Sequence, residues 1–135
     1  MRTWICVLAG LLTLWGIAAA AEETKFAGTW EATSGDKVFL ILKLQAGAKI
    51  SGTLNAGSIH MDEEGNLLEV GQVEDREAPI FFARAEGDKL EFDFQDDDDE
   101  VMHFELKVTA GDKAELRIVD QHVPNMKPFP LRRKS

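Results

Sequence analysis

Between Phe26 and Asp120, apolar and polar residues alternate with a period of two in segment after segment, a pattern that sends successive side chains to opposite faces of an extended strand. Leu90, Phe92 and Phe94 share one face, with Glu91, Asp93 and Gln95 on the other. Met102, Phe104, Leu106 and Val108 likewise alternate with His103, Glu105 and Lys107, and Ile50, Gly52 and Leu54 with Lys49, Ser51, Thr53 and Asn55. Such segments read as half-buried antiparallel strands, and little of the chain suits an amphipathic helix. The pattern predicts strands over 26–33, 38–45, 50–55, 58–61, 67–74, 80–85, 90–95, 101–109 and 114–120.

Between them, Gly35-Asp36-Lys37, Gly47-Ala48-Lys49, Gly87-Asp88-Lys89 and Gly111-Asp112-Lys113 repeat one turn chemistry: glycine where positive φ is needed, then lysine opening the next strand. Gly65-Asn66 and the acidic run from Asp96 supply two further turns. Eight or nine short strands in meander order leave two exposed edges unless the sheet closes, and closure at about eight gives an interior that side chains fill. The expected fold is therefore all-β, an antiparallel up-and-down barrel, with a two-sheet sandwich as the alternative. After Asp120 the alternation stops. Pro124, Pro128 and Pro130 with Arg132-Arg133-Lys134 predict an extended basic tail over 121–135 without a strand of its own.

The segment before the first strand changes the setting. Met1-Arg2-Thr3 is followed by an almost wholly apolar run from Trp4 to Ile17 and then Ala18 to Ala21, the layout of a secretory signal peptide cleaved after Ala20 or Ala21. The run is short for a membrane span and meets Glu22-Glu23 at once. Residues 22–120 then form one exported domain, secreted or periplasmic, with no membrane span after cleavage. The only cysteine, Cys6, lies in the leader, so the domain has no disulfide and relies on core burial. Small secreted domains of eukaryotes tend to be disulfide-rich, so this absence points to a bacterial envelope. Cleavage removes one charge, that of Arg2, and takes the net charge from −9 to −10. So acidic a chain repels nucleic acid and anionic lipid.

Gly28-Thr29-Trp30 on the first strand and Gly52-Thr53-Leu54 on the third resemble the opening of lipocalin-like and avidin-like barrels. That resemblance implies a tryptophan at the closed end and a cavity for a small ligand. The biotin pocket of avidins draws on several tryptophans and a tyrosine, whereas the chain beyond the leader keeps Trp30 alone and has no tyrosine. Phe26-Ala27-Gly28-Thr29-Trp30 is also similar to the start of fatty-acid-binding proteins, which insert two helices where this chain turns at Ser34-Gly35-Asp36. A third resemblance, and the favoured one, is to small secreted β domains of environmental bacteria with an "AGTW…GTL" opening; it extends through the Gly-Asp-Lys turns.

Candidate chemistry is sparse. The expected inward face collects Phe26, Trp30, Leu40, Leu42, Ile50, Leu54, Phe82, Phe92, Phe94, Phe104 and Leu106, with scarcely a polar group to orient a ligand. Its plain reading is a filled core; its functional reading is a pocket for a small lipophile lined by Trp30, Phe92, Phe94 and Phe104. Arg84 shares the parity of Phe82 and is the candidate charged group at a barrel mouth, unless a β-bulge near Pro79 reverses its facing. Asp96, Asp97, Asp98, Asp99 and Glu100 form a hard-oxygen run suited to calcium, though without the spacing of an EF-hand. The acidic turn Asp62-Glu63-Glu64 is placed to lie at the same end, and the basic tail to pair with either.

His60, His103 and His122 are too scattered for a zinc site, and no nucleophile motif surrounds Ser34, Ser51, Ser58 or Ser135. These residues predict a non-catalytic binding or interaction module of the envelope, whose partner is an envelope or extracellular protein. The alternatives are a lipophile carrier and a calcium-responsive domain.

Overall fold

The computed structural model describes residues 24–95, 99–119 and 127–134. Ten strands follow in order: β1 (Gly28–Ser34), β2 (Lys37–Gln45), β3 (Ser51–Ala56), β4 (Ile59–Met61), β5 (Leu67–Val70), β6 (Ala78–Glu86), β7 (Lys89–Gln95), β8 (Val101–Ala110), β9 (Lys113–Val119) and β10 (Phe129–Lys134). Eight of them close into an antiparallel barrel in the order β1-β10-β9-β8-β7-β6-β3-β2. The barrel strands run up and down in chain order, as the alternation predicts. β4 and β5 leave that course between β3 and β6 and pair only with each other.

The tail differs from expectation. Residues 129–134 form β10, which joins β9 through Phe129↔Leu116 and Leu131↔Ala114, and β1 through Trp30↔Arg133. Pro130 lies within this strand, yet Phe129 and Leu131 alternate inward around it and are buried. Three prolines and three cations hide a two-residue apolar alternation too short to stand out in the sequence. The gain from closing the sheet is large, because β1 and β9 otherwise present open edges.

Twenty-one buried hydrophobic side chains, from Phe26 to Leu131, form one core, and no polar or charged residue among the described ones is buried. Phe92 and Phe104 stack inside the barrel with centroids 5.3 Å apart, and Phe39 meets Phe129 at 5.6 Å. Gly35 and Gly87 take the positive φ expected of their turns, at 60° and 62°. Gly47 and Gly111 do not, so those two connections turn by another geometry.

A bulge in β6 overturns part of the expected inward face. Phe81 pairs with Asp93 and Arg84 with Glu91, so Phe82 and Ala83 together oppose the single residue Phe92. Ala83 and Ala85 turn toward the core, whereas Phe82 is expelled to 86% exposure at φ 52°. Arg84 consequently lies outside the barrel in an exposed ion pair with Glu86, at 3.5 Å.

Candidate functional site

The two ends of the barrel are built differently. At one end Trp30 is fully buried and its indole N–H donates to the Phe26 carbonyl at 2.9 Å. The Arg133 guanidinium covers the ring at 4.5 Å and donates to the Lys25 carbonyl. Gly28, at φ 126°, runs beneath the aliphatic stem of Arg133; a side chain there would be strained by the backbone, though it would meet Arg133 only in ordinary contact. Trp30 thus closes this end as part of a clamp between the first and last strands. Phe92 and Phe104, 1% and 3% exposed, are likewise enclosed by their neighbours, and a ligand would have to displace core side chains to touch them.

The other end is capped by the β4–β5 hairpin. Gly57 donates to the Phe39 carbonyl and Val73 to that of Val38, which ties the base of the hairpin to β2. The tip reaches the start of β10, where the Lys127 amide donates to the Gly65 carbonyl and its ammonium to Asn66 Oδ1 at 2.7 Å. Within the tip, Asp62 accepts from the backbone amides of Asn66 and Glu64. The Asn66 amide, above all, holds the Asp62 carboxyl below its ordinary range. Ile59 and Met61 pack on the core and Val70 is buried within it.

Beside this hairpin lies a cleft of about 680 Å³. It exists because the β3–β6 seam has only two paired positions, Thr53↔Pro79 and Leu54↔Ala78, after which the chain before β6 swings out across β3. Asn55 fixes that segment through the Glu74 carbonyl, and Thr53 and Lys43 fix it through Glu77. The Thr53 hydroxyl, with Lys43 beside it, holds the Glu77 carboxyl below its usual value. Ala56, Gly57, Val73, Ala78 and Phe94 give the cleft apolar walls, while Gln72, Glu74, Arg76 and Gln95 bring polar groups to it. A concave site of this size and mixture suits a small ligand or a side chain of a partner. Of the aromatic residues proposed for a pocket, only Phe94 lines it.

Asp96, Asp97 and Asp98 lie outside the described residues, as does His122. Asp99 and Glu100 are exposed, and the Gln95 amide donates to Asp99. Among the described residues, no group of three or more histidine, cysteine or acidic side chains is arranged to hold a metal. His103 is paired with Asp93 across β7 and β8 on the outer wall, and His60 sits opposite Glu69 on the hairpin.

The strand directions also sort the charges, which sequence order conceals. Lys25, Lys49, Lys89, Lys113, Arg132 and Lys134 gather at the Trp30 end, with Asp88 and Asp112 in its turns and Glu31 and Glu86 beside them. Asp62, Glu63, Glu64, Glu74, Asp99 and Glu100 gather at the hairpin end, with Lys37, Arg76 and Lys127 as its cations.

The fold defines the class: an all-β, closed eight-stranded antiparallel barrel. No family model, no curated protein and no solved structure matches the chain.

Proposed function

We propose that this chain is an exported, non-catalytic β-barrel of the bacterial envelope that binds its partner with the hairpin end. The observation that carries this reading is the contrast between a barrel interior filled by apolar side chains and a cleft of about 680 Å³ open at the hairpin. Catalysis in a small domain generally needs titratable groups whose environment shifts them toward the working pH. Among the described residues the two clear shifts, at Asp62 and Glu77, are carboxylates lowered by local hydrogen bonds outside the barrel strands, which favours structural roles.

Two measurements on the exported chain test the proposal. Native mass spectrometry should return the bare mass of the protein; an excess lost on denaturation would replace this reading with that of a carrier. A photo-crosslinking residue at Gln72, in the cleft, should capture an envelope component, whereas one at Lys49 should not. Capture from Lys49 alone would overturn the assignment of the hairpin end.

A further inference from the structure

The β6 bulge places apolar surface where the outer wall of a barrel is normally polar. Phe82 is 86% exposed and holds a left-handed backbone that a bulky residue rarely adopts. Phe81 beside it is also exposed, opposite Asp93 on β7, which pairs with His103 on β8, which in turn pairs with Val119 on β9. One straight row therefore runs across four strands: apolar Phe81, the Asp93–His103 pair, then exposed Val119. Val101, also exposed, faces outward two residues before His103.

We infer that this row is a docking surface for an extended, cationic polypeptide segment with the pattern apolar-x-cation-x-apolar. The spacing supports it. Three interstrand steps of about 4.8 Å separate Phe81 from Val119, roughly 14 Å, and an extended chain covers about the same distance between residues i and i+4. Its two apolar side chains then meet Phe81 with Phe82 at one end and Val119 with Val101 at the other. Its central cation falls midway along the row, between Asp93 and His103, where it shares the Asp93 carboxylate that His103 already engages, with Asp99 and Glu100 bordering the row toward the hairpin end. His103 faces Asp93 directly; in the neighbouring row Glu105 is engaged by Arg117 and Lys89, and Arg84 lies opposite Glu91. The carboxylates favour a cationic partner over an anionic bilayer or a second acidic copy of the chain. This surface rests on the reading of the chain as a binding module, but not on the cleft.

The test is titration of the ¹⁵N-labelled protein with the synthetic peptide Leu-Ser-Lys-Ser-Leu-Ser-Lys-Ser-Leu, followed by amide shifts. Shifts at Phe81, Phe82, His103 and Val119 are expected, weakened by added salt and absent with a peptide carrying glutamate for lysine. Phe82→Asn should weaken binding about tenfold, as loss of an aromatic anchor does, while raising Tm by a few degrees, since asparagine tolerates the left-handed backbone. Phe81→Ser, which leaves that backbone unchanged, should weaken binding as well. Ala78→Trp, which fills the cleft, should leave peptide binding intact, so the cleft and this surface stand or fall separately. Unchanged affinity in both phenylalanine variants relative to the unaltered chain, shifts confined to the cleft, or no shifts at millimolar peptide would overturn the inference. So would self-association or binding to phosphatidylglycerol vesicles that Phe82→Asn abolishes.

Discussion

Arg133 does three jobs with one side chain: it covers Trp30, donates to the Lys25 carbonyl and lies along Gly28. A cation over an indole face and a charge-assisted hydrogen bond together place the expected loss for Arg133→Ala at about 2 kcal/mol, read by urea unfolding. A change below about 0.5 kcal/mol would show that Trp30 holds its place without the clamp. Lysine at 133 cannot both stack flat and reach the carbonyl, so Arg133→Lys should recover less than half of the loss. Trp30 stands out in the sequence because Gly-Thr-Trp opens an alternating segment, but its partner lies 103 residues away among tail cations that resemble a solvated charge run. Phe82 misled for the opposite reason. Parity counting assumes an unbroken strand, and one extra residue on β6 inverts every assignment after it.

At the scale of elements, the β4–β5 hairpin is the piece whose attachment depends on pH. Asp62 organises its tip as a carboxylate, and the group sits below its ordinary value of 3.8 in the folded chain. A lowered acid contributes its stabilisation above the unfolded value and loses it as pH falls through the lower folded one. The Asn66 amide resonance should therefore move only as pH falls below the ordinary carboxyl value of 3.8, with loosening of the Lys127 contact, and Asp62→Asn should abolish that titration. An Asn66 resonance unchanged below that value would detach the hairpin from this carboxylate. Both hairpin strands could be read from alternation, as Ile59 and Met61 flank His60. Their departure from the barrel could not, because pairing partners are set by where the chain swings out after Leu54, a three-dimensional matter that period two does not encode.

For the molecule as a whole, closure depends on β10. A chain ending at residue 126 leaves β1 and β9 with open edges and removes Phe129, Leu131 and Arg133 from the core and the clamp. Such a chain should lose cooperative thermal unfolding and associate with itself, as circular dichroism and light scattering would report. A sharp transition at an unchanged temperature would mean that the last strand is dispensable. The closed barrel itself could be inferred from strand number, since eight strands in a meander have few other ways to cover their edges. The polarity of its ends could not, because lysines and carboxylates alternate along the chain and separate only when each strand's direction is known.

The seam between β1 and β10 also sets a timetable. A chain made from its amino end completes the Trp30 strand early, yet that strand's neighbour, β10, follows Ser34 only after the 94 residues from 35 to 128. Until then the growing sheet stays unclosed and tacky along both sides, a span of 94 residues in which a chaperone has work to do. The barrel can close only once β10 has been made.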